Sequence, residues 1–135
     1  MEVHASEVVE VRTPEDVTVA RQCTRRLAVK LGLTLLDQTK VVTASSELAR
    51  NLVIYGGGGV VTVQVIANGV KSGLRLTFED QGPGIPDVEL ALKDGYTTGN
   101  GLGLGLGGAK RLSHEFEIDT KPGAGTRITI IRWKA

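Results

Sequence analysis

Val60-Val-Thr-Val-Gln-Val-Ile-Ala-Asn-Gly-Val-Lys-Ser-Gly-Leu-Arg-Leu-Thr-Phe-Glu-Asp80 is the stretch that decides the fold. Two alternating segments rich in β-branched residues, 60–67 and 74–80, flank Asn68-Gly69 and Lys71-Ser72-Gly73, residue types that turn a chain back on itself. This pattern predicts an antiparallel hairpin. Moving toward the amino terminus, Gly56 to Gly59 end a helical pattern that begins at the Thr34/Asp37 capping pair and runs to Tyr55. Val41, Ser45, Leu48, Leu52 and Tyr55 share one face of it. Before that, Thr13-Pro14-Glu15-Asp16 supplies a cap, a first-turn proline and acids for a helix predicted over 14–31, which Gly32 ends. Its stripe is Val17, Ala20, Thr24, Leu27, Ala28 and Leu31, and residues 7–12 ahead of it predict a strand.

Downstream of the hairpin, 82–100 reads as a mobile flap with one short helical stretch near 88–92, being more chain than a simple connection needs. Gly101-Leu-Gly-Leu-Gly-Leu-Gly107 then opens a helix ending near Ser113, and 116–120 with 126–133 form a last hairpin around Pro122-Gly-Ala-Gly125. Strands in antiparallel hairpins with helices grouped between them predict an α+β fold. The expected form is a two-layer sandwich, with a mixed, mostly antiparallel five-stranded sheet covered on one face by three helices. At 135 residues, 14.3 kDa and 41% hydrophobic content, the chain suits a single domain over 1–135.

Sixteen basic residues against fifteen acidic ones, interspersed, give a formal charge of +1 and no basic field able to hold a nucleic-acid backbone. Cys23 is the lone cysteine, which excludes an internal disulfide and a multi-thiolate zinc site, and it reads as a buried structural thiol. No apolar run approaches a membrane span and no signal segment is evident, so a cytoplasmic location is expected. His4 and His114 lie in no ligand-like cluster and are assigned to neither metal nor catalysis.

Three segments carry chemistry. Glu47 and Asn51 are four apart on the second helix, on one face offset from the apolar stripe. An amide oxygen is a hard neutral donor of the kind Mg²⁺ accepts alongside waters and phosphates. A carboxylate beside it can take a proton from an attacking hydroxyl or water. Read alone, the pair is also what a solvated helix face shows. Asp80 ends the apolar strand and is followed by Gly82 and Gly84; it can accept a hydrogen bond from the exocyclic amine of an adenine while the glycines let the backbone approach a flat ring. The same residues make an ordinary Asp-Gly turn. Gly101, Gly103 and Gly105 place small residues ahead of a helix start, where phosphates are favoured. A dinucleotide fold is disfavoured, because the preceding segment is the flap and not a strand. Thr126 can join Asp80 at a base or simply begin the last strand, and Lys110 and Arg111 can steady phosphates or face solvent.

In this order, Glu47-x-x-x-Asn51, Asp80-x-Gly-x-Gly84 and Gly101-x-Gly-x-Gly resemble the N, G1 and G2 boxes of the GHKL ATPase/kinase superfamily, whose members share the Bergerat nucleotide fold. Ser46-Glu-Leu-Ala-Arg-Asn51 and Asp94-Gly-Tyr-Thr-Thr-Gly-Asn100 are similar to the anti-sigma-factor serine/threonine kinase group, most of all to the RsbT-type switch kinases of the stressosome. The resemblance implies ATP and Mg²⁺ as cofactors, with Glu47 as catalytic base, Asn51 as Mg²⁺ ligand and Asp80 as the adenine-specifying acid. Gly82 and Gly84 would lie beside the base, Gly101, Gly103 and Gly105 beside the phosphates. It further implies serine or threonine hydroxyls of STAS-domain proteins as substrates, and a PP2C-type phosphatase as the partner that the released kinase activates. Autophosphorylation on histidine is disfavoured, since Ser46 stands where histidine kinases of the superfamily carry histidine. Arg50 and Lys110 are candidates for neutralising the terminal phosphate. Beside the kinase reading stand a nucleotide-dependent anti-sigma-type binding module and a stand-alone ATPase that uses Glu47 on water.

Overall fold

The computed structural model describes residues 1–85, 87–92 and 105–135. Along the chain run β1 (Glu2–Val11), α1 (Pro14–Leu31), α2 (Leu35–Ile54), β2 (Gly59–Asn68), β3 (Lys71–Asp80), α3 (Val88–Ala91), α4 (Leu106–Arg111), β4 (Glu115–Lys121) and β5 (Gly125–Trp133). Of the flap expected over 82–100, residues 86 and 93–100 lie outside the described residues, as does the glycine run up to residue 104, and the short helix expected near 88–92 forms as α3.

The local reasons for these elements are those the sequence displays. Thr13 and Asp16 form a reciprocal cap: the Asp16 amide donates to Thr13 Oγ1 at 3.4 Å and the Thr13 amide donates to Asp16 Oδ2 at 3.1 Å. Thr34 Oγ1 likewise accepts from the Asp37 amide at 3.2 Å. The β2–β3 hairpin closes through the two-residue turn Gly69-Val70, with Asn68 opposite Lys71 and Gly59 opposite Asp80. β1 is longer than the expected 7–12, reaching back to Glu2, which pairs with Ala67. A register shift between Val3 and Ala5 breaks the alternation there, so periodicity alone could not reveal the first half of the strand.

The sheet order is β1-β2-β3-β5-β4, and all four pairings are antiparallel where a mixed sheet was expected. Two helices lie between β1 and β2 and return the chain to the end it left, so β2 must run back along β1. The crossover from β3 to β4 does set two strands parallel, but β5 lies between them and pairs antiparallel with both. Asp80, Gly59, Lys121 and Gly125 thereby meet at one end of the sheet.

Val61, Val63, Leu74, Leu76, Phe78, Ile128 and Ile130 form the inner face, packed against Ala20, Cys23 and Leu27 of α1 and Val41, Leu48 and Leu52 of α2. Burial of these side chains is the dominant favourable contribution to folding. Between the two helices Thr24 and Ser45 are fully buried and satisfy each other, their hydroxyls 3.0 Å apart, with Thr24 Oγ1 also 2.8 Å from the Ala20 carbonyl. Cys23 is buried as expected, and burial pushes its thiol above the ordinary range. Among the described residues no helix is long and apolar enough to cross a membrane.

Arg132 fastens the other end of the sheet. Its Nη1 donates to the Leu112 carbonyl at the close of α4 (2.9 Å) and its Nη2 to Asp37 Oδ1 in the first turn of α2 (2.7 Å), with both side chains largely buried. Arg132→Ala leaves the Asp37 carboxylate without its counter-charge and should cost about 2 kcal/mol, read as a fall in Tm of roughly 5–10 °C by thermal denaturation. The hydrogen bond from Arg132 holds the Asp37 carboxyl below its usual range. Because the folded value is the depressed one, this contribution is complete above the ordinary carboxylate range and is lost as pH falls through the folded value. Stability of the Arg132→Ala protein should therefore depend less steeply on pH below about 4.

Candidate functional site

At the end of the sheet where Asp80 lies, a cavity of about 260 Å³ opens between α2, the β3 terminus and the start of α4. Its walls are mostly apolar, built by Leu48, Leu52, Phe78, Leu106 and Ile128, and its polar side chains come from Asn51, Tyr55, Asp80, Asp87 and Thr126. An apolar slot with few polar groups suits a flat heteroaromatic ring. The Asp80 carboxylate at the end of β3 accepts a hydrogen bond and cannot donate one while ionised, which suits a ring carrying an amine.

Glycine backbones hold Asp80 on three sides. The Gly82 amide donates to Asp80 Oδ1 at 2.9 Å, so Gly82 acts behind the carboxylate, whereas Gly84 lines the cavity itself. A Cβ on Gly56 would stand 2.7–2.8 Å from the Asp80 Cβ, Cγ and Oδ2 atoms. Gly125 turns at φ +91, in the left-handed region, and a Cβ there would collide with the Asp80 carbonyl oxygen. Gly56 looks in sequence like one residue of a helix-ending run. No sequence signal marks it: the strand register that sets Gly59 opposite Asp80 carries the glycine run across the carboxylate.

Thr126 sits directly opposite Asp80 across β3 and β5 and is 9% exposed. Its hydroxyl lies 2.9 Å from that of Thr120, which also accepts the Ile85 amide at 2.9 Å and approaches the Gly125 carbonyl at 3.2 Å. Thr120 thus ties the segment after Asp80 to the last hairpin. Its mark in the sequence is the alternation of Phe116, Ile118 and Thr120 onto one face, which makes Thr120 the polar member of an apolar row.

The second part of the site is on α2. Glu47 and Asn51 sit one turn apart, both half-buried, and Asn51 reaches the cavity wall. Leu48 and Ala49 fix that stretch of helix in the core, leaving the Glu47 side chain one-third exposed. Arg50 Nη2 donates to Glu47 Oε2 at 2.6 Å. The same oxygen faces Gly105, which caps α4 at φ +67 and on which a Cβ would stand 2.6 Å from Glu47 Oε2. The third motif, at Gly105, is therefore packed against the first. Gly101 and Gly103 lie outside the described residues. Lys110 and Arg111 are exposed on α4, and neither lines the cavity.

Among the described residues no three His, Cys, Asp or Glu side chains converge as a metal cage. A lone amide oxygen at Asn51 fits a hard cation that takes its remaining ligands from phosphates and water, and it does not fit a cation needing an all-protein shell. His114 is remote from the cavity: its Nδ1 accepts the Trp133 amide at 2.8 Å, and burial holds the imidazole below its ordinary range. His4 lies 3.3 Å from Glu2 on the exposed first strand.

The family of histidine kinase-, DNA gyrase B- and HSP90-like ATPases matches residues 36–135. The chain is 45% identical over 125 residues to the serine/threonine-protein kinase RsbT of Bacillus subtilis (strain 168), with 93% of this chain and 94% of that protein covered. It is 26% identical over 125 residues to the anti-sigma F factor of Thermoanaerobacter sp. (strain X514), covering 88% and 86% respectively. Among solved structures, the RsbU and RsbW domains of a Mycobacterium tuberculosis protein superpose with a TM-score of 0.68 at 21% identity, over 97% of this chain and 33% of that one. The catalytic domain of the histidine kinase ThkA superposes at 0.56 with 17% identity, over 95% and 96%. At those identities the two structures share the fold.

Proposed function

We propose that this chain, which belongs to the family of histidine kinase-, DNA gyrase B- and HSP90-like ATPases, is a protein serine/threonine kinase that uses Mg²⁺-bound ATP to phosphorylate STAS-domain regulatory proteins and so switches partners in a bacterial stress or sigma-factor pathway. The observation that carries this reading is the packing of Glu47 against Gly105 beside a cavity holding Asn51 and Asp80, in a chain 45% identical to a serine/threonine-protein kinase along nearly its whole length. ATP brings the terminal phosphoryl group, and its magnesium neutralises part of the phosphate charge.

The residues divide the work. Asp80, oriented by the Gly82 amide, accepts the adenine amine, and Thr126 supports the base from the facing strand. Asn51 would offer its amide oxygen to the magnesium, and Gly105, with Gly101 and Gly103 of the same motif, would border the phosphates. Glu47 takes the acceptor hydroxyl's proton as that oxygen attacks. In this role a released kinase free to engage a PP2C-type phosphatase, in the cytoplasm, completes the switch.

The test is incubation of the purified protein with ATP, Mg²⁺ and the STAS-domain proteins encoded near it, followed by a search for phosphate on their serines and threonines. Transfer supports the kinase; nucleotide-dependent binding with no transfer identifies an anti-sigma-type binding module instead. Gly105→Ala provides a further check. The new methyl strains a left-handed residue and presses on Glu47 Oε2. Transfer should fall by about tenfold or more, with the circular dichroism spectrum unchanged.

A further inference from the structure

Arg50 is half-exposed and outside the buried core, yet its guanidinium is committed to the one carboxylate read as the base. We propose that Arg50 is a positioning residue for Glu47: it pins Oε2 and leaves Oε1 as the oxygen that receives the acceptor's proton. The inference rests on the reading of Glu47 as catalytic base.

Three observations support it. The pair is three residues apart on α2, the spacing that brings side chains together on a helix face, and the Nη2 to Oε2 distance of 2.6 Å is that of a strong charge-assisted bond. Oε2 is confined from the other side as well, because the backbone of Gly105 closes on it. The hydrogen bond from Arg50 is to Oε2, and among the described residues none is made to Oε1, the oxygen this proposal gives to the acceptor's proton. A glutamate carboxylate rotates through a broad, two-fold torsion, and an unanchored one spends much of its time misaligned. A pair this exposed adds little to stability, which leaves orientation as the effect it can exert.

A basic residue on the site could instead contact the nucleotide, and the two roles separate in kinetics. With the STAS-domain protein that accepts phosphate as substrate, Arg50→Ala should lower kcat on the order of tenfold to a hundredfold and leave the KM for ATP within about twofold. Arg50→Lys should recover most of the loss, because the contact is a single donor to a single oxygen and an ammonium can make it. The Glu47→Ala/Arg50→Ala protein should be no slower than Glu47→Ala alone, as expected when one residue acts through the other. Guanidinium rotation of Arg50, followed by ¹⁵N NMR in the nucleotide-free protein, should be restrained in the native chain and free in Glu47→Ala.

A KM for ATP raised tenfold or more in Arg50→Ala, or a double variant slower than Glu47→Ala, would assign Arg50 to the nucleotide and overturn the proposal. Native kcat in Arg50→Ala beside an inactive Glu47→Ala overturns it too, with the base assignment standing. Native transfer in Glu47→Ala removes the base assignment and the proposal together, and unrestrained rotation of Arg50 in the native chain refutes the contact whatever the activity.

Discussion

Glu47→Ala lowers phosphoryl transfer by about 10²- to 10⁴-fold, the usual contribution of a positioned general base, while ATP binds with nearly native affinity. The separation of the two effects follows from where the side chain stands. Asn51, Asp80, Gly84 and Thr126 line the cavity proposed to receive the ring, and Glu47 does not. Its carboxylate is one-third exposed and its hydrogen bond is to the exposed Arg50, so its removal opens no hole in the core. Phosphate incorporation into the partner protein and calorimetric titration with ATP measure the two halves. A variant that loses both together has damaged binding, and the assignment of Glu47 to chemistry fails.

Asp80→Asn produces the opposite pattern, with loss at binding. The asparagine oxygen can keep the 2.9 Å hydrogen bond from the Gly82 amide, so the turn survives. The second oxygen becomes an amide NH₂ that faces the adenine amine donor to donor, and the charge disappears. Loss of a hydrogen bond to a charged group and the mismatch left behind cost about 2–3 kcal/mol, which lowers ATP affinity on the order of 30- to 150-fold. The rise in Tm that saturating ATP gives the native protein should shrink accordingly, with the Tm of the ligand-free variant close to native. Unchanged ATP affinity in Asp80→Asn removes the adenine role.

The sequence made legible what depends on short spacing. Thr13 and Asp16, the α1 stripe through Ala20, Thr24 and Leu27, and the alternation of Val61, Val63, Leu74 and Leu76 are local patterns, and each formed the element it announced. The proximity of Glu47 to Asn51 was equally local. What could not be read was any relation set by register or topology. Gly56 meets Asp80 because β2 and β3 pair with Gly59 opposite Asp80, a fact absent from the spacing of either segment. Thr120 joins Thr126 and Ile85 only once the last hairpin and the segment after β3 share one end of the sheet. The sheet was expected to be mixed; the insertion of β5 between β3 and β4, which makes every pairing antiparallel, is a long-range choice that no window of residues records. Asp37, expected only in a capping pattern, spends its carboxylate on Arg132 from 95 positions away.

That long bond has a bearing on motion. The guanidinium of Arg132 grips the foot of α2 and the tail of α4 together, so the two walls of the nucleotide cleft share an anchorage at their far ends. Walls hinged at one extremity separate by splaying at the other, where Gly105 and Glu47 touch. Any parting of α2 from α4 is therefore smallest at that anchorage and largest where α4 begins, beside the cavity that Leu106 helps to line.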